Sequence, residues 1–152
     1  ESALWFSWYG ADGIFIDEMD NTPGAHEAYY HTLYDGIRAQ RPGALVVANP
    51  GVSTTLDYLD GSAGRCASAL CLFENSTPFL SWTPDAWALA RPRKELYALP
   101  YGISSSGWQA VVDHAFQSNV GWLYTTDDVL PNPWDTLPAY FETMLDYVDL
   151  HY

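Results

Sequence analysis

Short apolar runs alternate with longer amphipathic stretches along the whole chain. Residues 13–16 form a compact apolar run that ends in Asp17 and Glu18, a pattern typical of a buried strand with acids at its carboxyl end. Four further runs have a similar length and character, and turn residues follow several of them. The predicted strands cover residues 13–16, 44–48, 68–73, 95–99 and 120–125.

The stretches between these runs repeat apolar residues at helical spacing. In the last stretch, Leu137, Phe141, Leu145 and Val148 form one apolar stripe. Helices are predicted over residues 25–40, 54–59, a segment beginning at 84, 107–118 and 134–150. Because strands and helices alternate, the pattern predicts an α/β fold in which helices cover a parallel sheet.

Five strand–helix units leave two architectures open. One is an open five-stranded sheet, and the other is the last five βα units of a parallel (β/α)8 TIM-type barrel, since a whole barrel needs about 200 residues or more. Residues 4–9 resemble the end of a helix that would follow an earlier strand, which favours the barrel. We therefore expect residues 1–152 to be a single catalytic-type domain, an N-terminally incomplete barrel.

Polar side chains follow each predicted strand where it ends. In parallel α/β proteins ligands bind at this carboxyl edge, and barrel enzymes place their chemistry there. The residues concerned are Asp17, Glu18, Asn49, Glu74, Asn75, Tyr101, Asp127 and Asp128. Their convergence on one edge predicts a ligand site.

Three of these acids, Asp17, Glu18 and Glu74, are candidates for glycoside hydrolysis. That reaction needs one carboxylate to attack or to stabilise charge, and another to protonate the leaving oxygen. Neighbouring residues of a strand point to opposite faces, so Asp17 and Glu18 are not expected to reach the same point. The alternative interpretation is that such acids cap the following helices or stay solvated.

Six aromatic residues are candidates for stacking on sugar rings, as aromatic walls are common in ligand sites. They are Trp8, Tyr9, Trp82, Tyr101, Tyr124 and Trp134. The alternative is that they pack in the core. Asp127 and Asp128 have two interpretations as well, as hydrogen-bond partners of sugar hydroxyls or an amine, or as turn residues.

The charge balance excludes some partners. Nineteen acidic and six basic residues leave a net charge of −13, which repels phosphate backbones and argues against nucleic acid. No apolar stretch approaches the length of a membrane helix. The sequence also lacks HExxH, GxGxxG and phosphate-loop motifs, so we expect neither a metal nor a cofactor.

Two minor features concern the environment of the chain. Cys66 and Cys71 are expected to be buried thiols or, in a secreted protein, a short disulfide. Residues 75–77 form a glycosylation sequon, which we expect to be unoccupied because it adjoins Glu74.

An ordered set of motifs resembles the spherulin-4 family, also called spherulation-specific family 4, whose enzymatic members form glycoside hydrolase family 135. The set extends from Trp8 to Tyr147, without the family's first three strands and helices. Its motifs are residues 12–18 (DGIFIDE), 49–51 (NPG), 73–74 (FE), 124–128 (YTTDD), 132–135 (NPWD) and 137–138 (LP).

The resemblance implies a (β/α)8 barrel that acts as an endo-hydrolase of α-1,4-linked N-acetylgalactosamine in galactosaminogalactan, a secreted fungal exopolysaccharide. It also implies that Asp17, Glu18 and Glu74 are the functional acids. We expect a retaining mechanism in which Asp17 is the nucleophile or stabilises the oxocarbenium ion, and Glu74 is the general acid/base. Glu18 would orient Asp17 or bind substrate.

The expected substrate-binding residues are Trp8, Tyr9, Asn49, Asn75, Tyr101, Tyr124, Asp127 and Asp128. We expect a monomer that is secreted or located in the cell wall, with a neutral or cationic polysaccharide as its partner. Two alternatives remain: a wall- or spore-associated protein that binds polysaccharide without cleaving it, and a hydrolase of a different hexosamine or galactose polymer.

Overall fold

A computed structural model of the chain describes residues 1–76 and 78–152. The elements follow in the order α1 (Ser2–Tyr9), β1 (Gly13–Ile16), α2 (Glu27–Gln40), β2 (Leu45–Ala48), α3 (Asp57–Asp60), β3 (Ala69–Asn75), α4 (Ala86–Leu89), β4 (Leu96–Pro100), α5 (Trp108–Gln117), β5 (Trp122–Leu123) and α6 (Phe141–His151). Short 3-10 turns cover Phe79–Ser81 and Arg93–Glu95.

The strands form a five-stranded parallel sheet in the order β1-β2-β3-β4-β5. The predicted α/β class with alternating strands and helices is therefore confirmed. Among the described strands, the sheet is open because β5 does not pair with β1. The barrel therefore stays a prediction. By its internal contacts the chain forms two compact units, Glu1–Leu72 and Phe73–Tyr152, which are described in turn.

One apolar cluster of the first unit lies between helix α2 and strands β1 and β2. Ile37 of α2 packs with Val46 of β2, and Ile14 and Ile16 of β1 join the same cluster. Because Ile37 is almost fully buried, shortening it to alanine is expected to cost about 2–5 kcal/mol. Phe15 lies between the two isoleucines in sequence and is 53% exposed, as strand alternation requires.

Gly13 allows β1 to lie close to β2. It pairs with Leu45, and a Cβ atom at this position would collide with the Leu45 carbonyl oxygen. From this start the two strands stay in parallel register up to Ile16 and Ala48. The register brings the residues after the two strands, Asp17 and Asn49, beside each other.

In the described part of the second unit, two apolar clusters lie on the two sides of α5. Phe73, Phe79 and Val111 belong to the first cluster, while Trp108 and Met144 belong to the second. Helix α5 contributes to both because its apolar residues occupy more than one stripe of its surface. Ala98 of β4 also belongs to the first cluster, so α5 packs against both β3 and β4.

The last helix differs from its prediction. It begins at Phe141 rather than at residue 134, because Pro138 cannot sit inside a helix. Leu137 therefore lies in the preceding loop and is 65% exposed. The helix buries Met144, while Leu145 of the predicted stripe is exposed.

Cys66 and Cys71 are buried thiols, so the disulfide alternative is not realised among the described residues. Burial raises the pKa of Cys66 to about 11. The third residue of the sequon, Thr77, lies outside the described residues. The prediction that the sequon is unoccupied therefore stays a prediction. Within the described part of the chain, no helix has the length and hydropathy needed to cross a membrane.

Candidate functional site

In the first unit, the carboxyl ends of β1 and β2 bring two predicted site residues together. The Asn49 amide donates a hydrogen bond from Nδ2 to Oδ1 of Asp17 over 2.9 Å. The backbone supports this contact, because Asn49 donates its N–H to the Ile16 carbonyl and accepts one from the Met19 N–H. Asp17 itself is exposed, whereas Asn49 is buried. A carboxylate is thus held at the strand edge and is open to solvent.

Glu18 has an unusual backbone conformation. Its φ of 50° lies in the left-handed region, which a residue with a Cβ atom adopts at a cost of about 1–2 kcal/mol. Since β1 ends at Ile16, the strand alternation expected for Asp17 and Glu18 does not apply to them, and that premise was wrong. Backbone strain of this kind concentrates at functional sites, which supports Glu18 as a candidate.

The loop after Glu18 is anchored by two buried tyrosines. The Tyr58 hydroxyl donates to the carbonyl oxygens of Asp20 and Thr22, and the Tyr30 hydroxyl accepts the Asp20 N–H. Hydrogen bonds from the Thr22 hydroxyl and backbone N–H hold the pKa of Asp20 below its usual value, with a further contribution from His26. The hydroxyl groups of Tyr30 and Tyr58 therefore hold the backbone of the segment that follows Asp17 in place.

Trp8 and Tyr9 lie away from this edge. They end α1, and the following residue, Gly10, accepts a hydrogen bond from the Arg41 guanidinium. Arg41 directly follows α2 and lies four residues before the start of β2, so this contact marks the amino-terminal ends of the strands. Both aromatic rings are highly exposed, but the structure does not bring them together with Asp17.

In the second unit, Glu74 and Asn75 are the last two residues of β3, which extends further than predicted. Glu74 is half-buried and Asn75 is exposed. The Tyr101 N–H donates to the Asn75 carbonyl over 3.1 Å, which places the end of β4 beside the end of β3. Glu74, Asn75 and Tyr101 therefore share one edge, as predicted.

Three aromatic side chains cluster at the carboxyl ends of β4 and β5. The Trp134 ring contacts Tyr101 nearly edge-on, with centroids 5.7 Å apart, and lies 5.9 Å from the Tyr124 ring. Trp134 remains 39% exposed. By contrast, Trp82 stacks on Phe79 and packs against the core, so its core interpretation is the appropriate one.

The adjacent acids Asp127 and Asp128 have different surroundings. Asp128 accepts hydrogen bonds from the Val129 N–H at 2.8 Å and from the Thr136 hydroxyl at 3.0 Å, one at each carboxylate oxygen. The Val129 N–H contributes most to the lowered pKa of Asp128, followed by the Thr136 hydroxyl. Asp127 is exposed. Asp128 thus stabilises the loop that contains it by accepting these hydrogen bonds, whereas Asp127 faces solvent.

A groove of about 270 Å³ opens at the same edge of the second unit. Its lining includes Ser76, two residues after Glu74, together with Ile103 and Ser104 from the loop after β4. The Tyr140 hydroxyl donates to the Ile103 carbonyl and steadies that loop. Burial raises the pKa of Tyr140 to about 12, so this hydroxyl stays protonated and remains a donor at neutral pH.

Sequence reasoning did not identify Thr136 or Tyr140, because a single Thr or Tyr in a polar loop has no distinctive spacing. It did identify Asn49, but as a substrate ligand rather than as a partner of Asp17. Among the described residues, no group of three or more His, Cys, Asp or Glu side chains is arranged to hold a metal ion.

The structure is similar to that of a solved protein, Sph3 of Aspergillus clavatus in complex with GalNAc. The TM-score is 0.74 and the sequence identity 19%, with 95% of this chain covered. The match covers 61% of the Sph3 chain, so this chain spans less than two thirds of that protein's length. The likeness at this identity concerns the fold. A search of curated proteins found no significant match.

The sequence itself gives the family. The family model of spherulation-specific family 4 matches residues 3–148, nearly the whole chain. That range includes both strand edges with their acids, amides and aromatic residues. The chain is therefore a member of spherulation-specific family 4.

Proposed function

We propose that this protein is a glycoside hydrolase of galactosamine-containing polysaccharide. The finer assignment is endo-acting cleavage of α-1,4-linked N-acetylgalactosamine in galactosaminogalactan. The observation that carries the proposal is membership of spherulation-specific family 4 over residues 3–148, with Asp17, Glu18 and Glu74 at strand ends. The GalNAc bound to the structurally similar Sph3 supports the choice of sugar.

The proposed reaction uses two carboxyl groups. Glu74 protonates the glycosidic oxygen as the bond to the anomeric carbon breaks, and Asp17 attacks that carbon or stabilises its positive charge. Water then attacks the anomeric carbon as the bond from that carbon to Asp17 breaks, and Glu74 takes the proton of the water, which completes a retaining cycle and frees the Asp17 carboxylate. Glu18 orients Asp17 or binds the sugar.

The exposed aromatic and polar side chains around the acids are the proposed substrate contacts. Trp134 offers a ring face held between Tyr101 and Tyr124, which suits the apolar face of a sugar ring. Asp127 is available to sugar hydroxyls or to the amine of a deacetylated unit. Asn75 is exposed and adjoins Glu74, and it completes the proposed set.

The proposal also includes the remaining expectations from the sequence. The five strands would be part of a (β/α)8 barrel. The protein would act as a secreted or cell-wall monomer, where an extracellular polysaccharide is within reach. The family membership and the parallel order of the strands support the barrel, whereas the location and the monomeric state are proposals from the sequence alone.

Incubation with purified galactosaminogalactan tests the proposal. We expect shortened chains by size-exclusion chromatography and mass spectrometry, and intact chains with Asp17→Asn as the matched control. Proton NMR of the first product gives the anomeric configuration, which reports retention or inversion. Polymer that stays at full length in the presence of the parent protein contradicts the hydrolase assignment.

The second candidate function is binding without cleavage. It is favoured by Trp134, whose exposed ring needs no acid to hold a sugar. In that case the polymer would retain the protein on an affinity column and keep its length in the same incubation. The two functions therefore give different results in one experiment.

A further inference from the structure

The side chain of Asn49 has a single hydrogen-bonding orientation. Its Oδ1 accepts the N–H of Gly51 over 3.0 Å, and a backbone N–H can only donate. The amide nitrogen must therefore face Oδ1 of Asp17, 2.9 Å away. Since Nδ2 can only donate, the oxygen of Asp17 that it meets must accept.

The residues after Asn49 explain why this orientation is stable. Pro50 restricts Asn49 to an extended backbone, and Gly51 has a φ of 71°, which glycine adopts without strain. The chain thereby turns its Gly51 N–H back to the asparagine oxygen, the hydrogen bond of an Asx turn. The backbone of Asn49 is bound on both sides, to Ile16 and Met19.

Asn49 is too deeply buried to act as a substrate ligand. The residue is only 6% exposed, whereas Asp17 at the other end of the hydrogen bond is exposed. An exposed aspartate would otherwise sample several rotamers, and one fixed donor selects among them. The contact suits an ionised carboxylate, because hydrogen bonds to charged acceptors are the stronger ones.

We propose that Asn49 is a positioning residue that holds the ionised carboxylate of Asp17 in one orientation toward the anomeric carbon. This inference rests on the proposed hydrolase function and deepens it. The sugar-binding role expected for Asn49 from the sequence is thereby replaced by an indirect role through Asp17.

Asn49→Asp is the sharpest variant, because it keeps the acceptor for Gly51 and replaces the donor to Asp17 with a second carboxylate. We expect kcat to fall by about 10–100-fold at neutral pH while KM stays near that of the parent. At lower pH the introduced carboxyl binds a proton and donates again, so the optimum moves toward acid. Asn49→Ala loses kcat without this acid shift. An unchanged kcat with a raised KM, and no acid shift, would overturn the positioning role.

A measurement without substrate separates this inference from the proposed function. In NMR spectra at neutral pH, the Nδ2–H protons of Asn49 should exchange with solvent more slowly in the parent protein than in Asp17→Ala. Asn119 is the internal control, since its Nδ2 donates to the carbonyl oxygens of Ala88 and Arg91 and should exchange equally in both proteins. If the polymer is not cleaved, the hydrolase proposal fails while this comparison of exchange rates still decides the contact. Asn49 exchange that is the same in the parent and in Asp17→Ala refutes the inference.

Discussion

The two strand edges use their acids in opposite ways. After β1, Asp17 accepts a hydrogen bond from the Asn49 side chain and stays exposed. After β5, both carboxylate oxygens of Asp128 accept hydrogen bonds from the loop that contains it. The first carboxylate is oriented and open to a ligand, whereas the second holds its own backbone in place.

The difference shows that a pair of acids at a strand end does not by itself indicate a catalytic or a structural role. Asp17-Glu18 and Asp127-Asp128 look alike in sequence, but the donors around each carboxylate decide its role. A carboxylate with both oxygens engaged has little capacity left for a substrate. The most informative experiments are therefore those that separate chemistry, sugar binding and stability at the two edges.

The largest expected effect is on turnover. Asp17→Asn and Glu74→Gln should each lower polymer cleavage by about 10²–10⁴-fold, because each removes a carboxyl group from the proposed reaction. Initial rates of reducing-end formation measure the loss. Asp149→Asn and Glu142→Gln, on the exposed face of α6, are the matched controls. Near-parental rates in both site variants would refute the assignment of these acids.

A smaller effect is expected on sugar binding at the second edge. Trp134→Ala should weaken the affinity for galactosamine oligosaccharides by up to about 10-fold, the order of about 1 kcal/mol that aromatic contacts contribute. Titration calorimetry measures the change. Trp122→Ala is the comparison, because Trp122 is also exposed but lies at the start of β5. Equal losses in the two variants would argue against a stacking role specific to Trp134.

The adjacent acids of the second edge should differ in stability. Asp128→Ala should lower Tm by a few degrees because Val129 and Thr136 lose their acceptor, while Asp127→Ala should leave Tm near that of the parent. Thermal unfolding followed by circular dichroism measures both. A similar Tm for the two variants would contradict the comparison between them.

The pH dependence of that stability has a defined sign. The pKa of Asp128 is lowered in the folded protein, chiefly by the Val129 N–H, from an ordinary value of 3.8. Its contribution is therefore present above the ordinary value and is lost as the pH falls through the lowered one. The Tm difference between the parent and Asp128→Ala should shrink in that acidic range.

The smallest expected effect concerns salt. The net charge of −13 should attract a partly deacetylated, cationic polymer, so raising NaCl from about 0.05 M to about 0.5 M should weaken binding severalfold. A fully acetylated polymer is the neutral control and should show little change. If both polymers respond equally, long-range charge is not what attracts the deacetylated one.

The alternation of apolar runs was sufficient to predict the α/β class and the strand edges. Buried parallel strands are nearly continuous in apolar residues, and a polar residue must follow where the strand emerges, as Asp17 does after Ile16. The start of the last helix was predicted less well than the strand ends. The helical spacing of Leu137 suggested one continuous stripe, although Pro138 prevents the helix from including it.

By itself, the sequence determined the order of strands and helices, which acids and aromatic residues follow them, and to which family the chain belongs. Only the tertiary structure decided that the Asn49 amide donates to Asp17 and that the Thr136 hydroxyl donates to Asp128. The reason is that apolar periodicity is a local property of the chain. A hydrogen bond joins side chains far apart in sequence, and it depends on strand register and loop path that no single segment specifies.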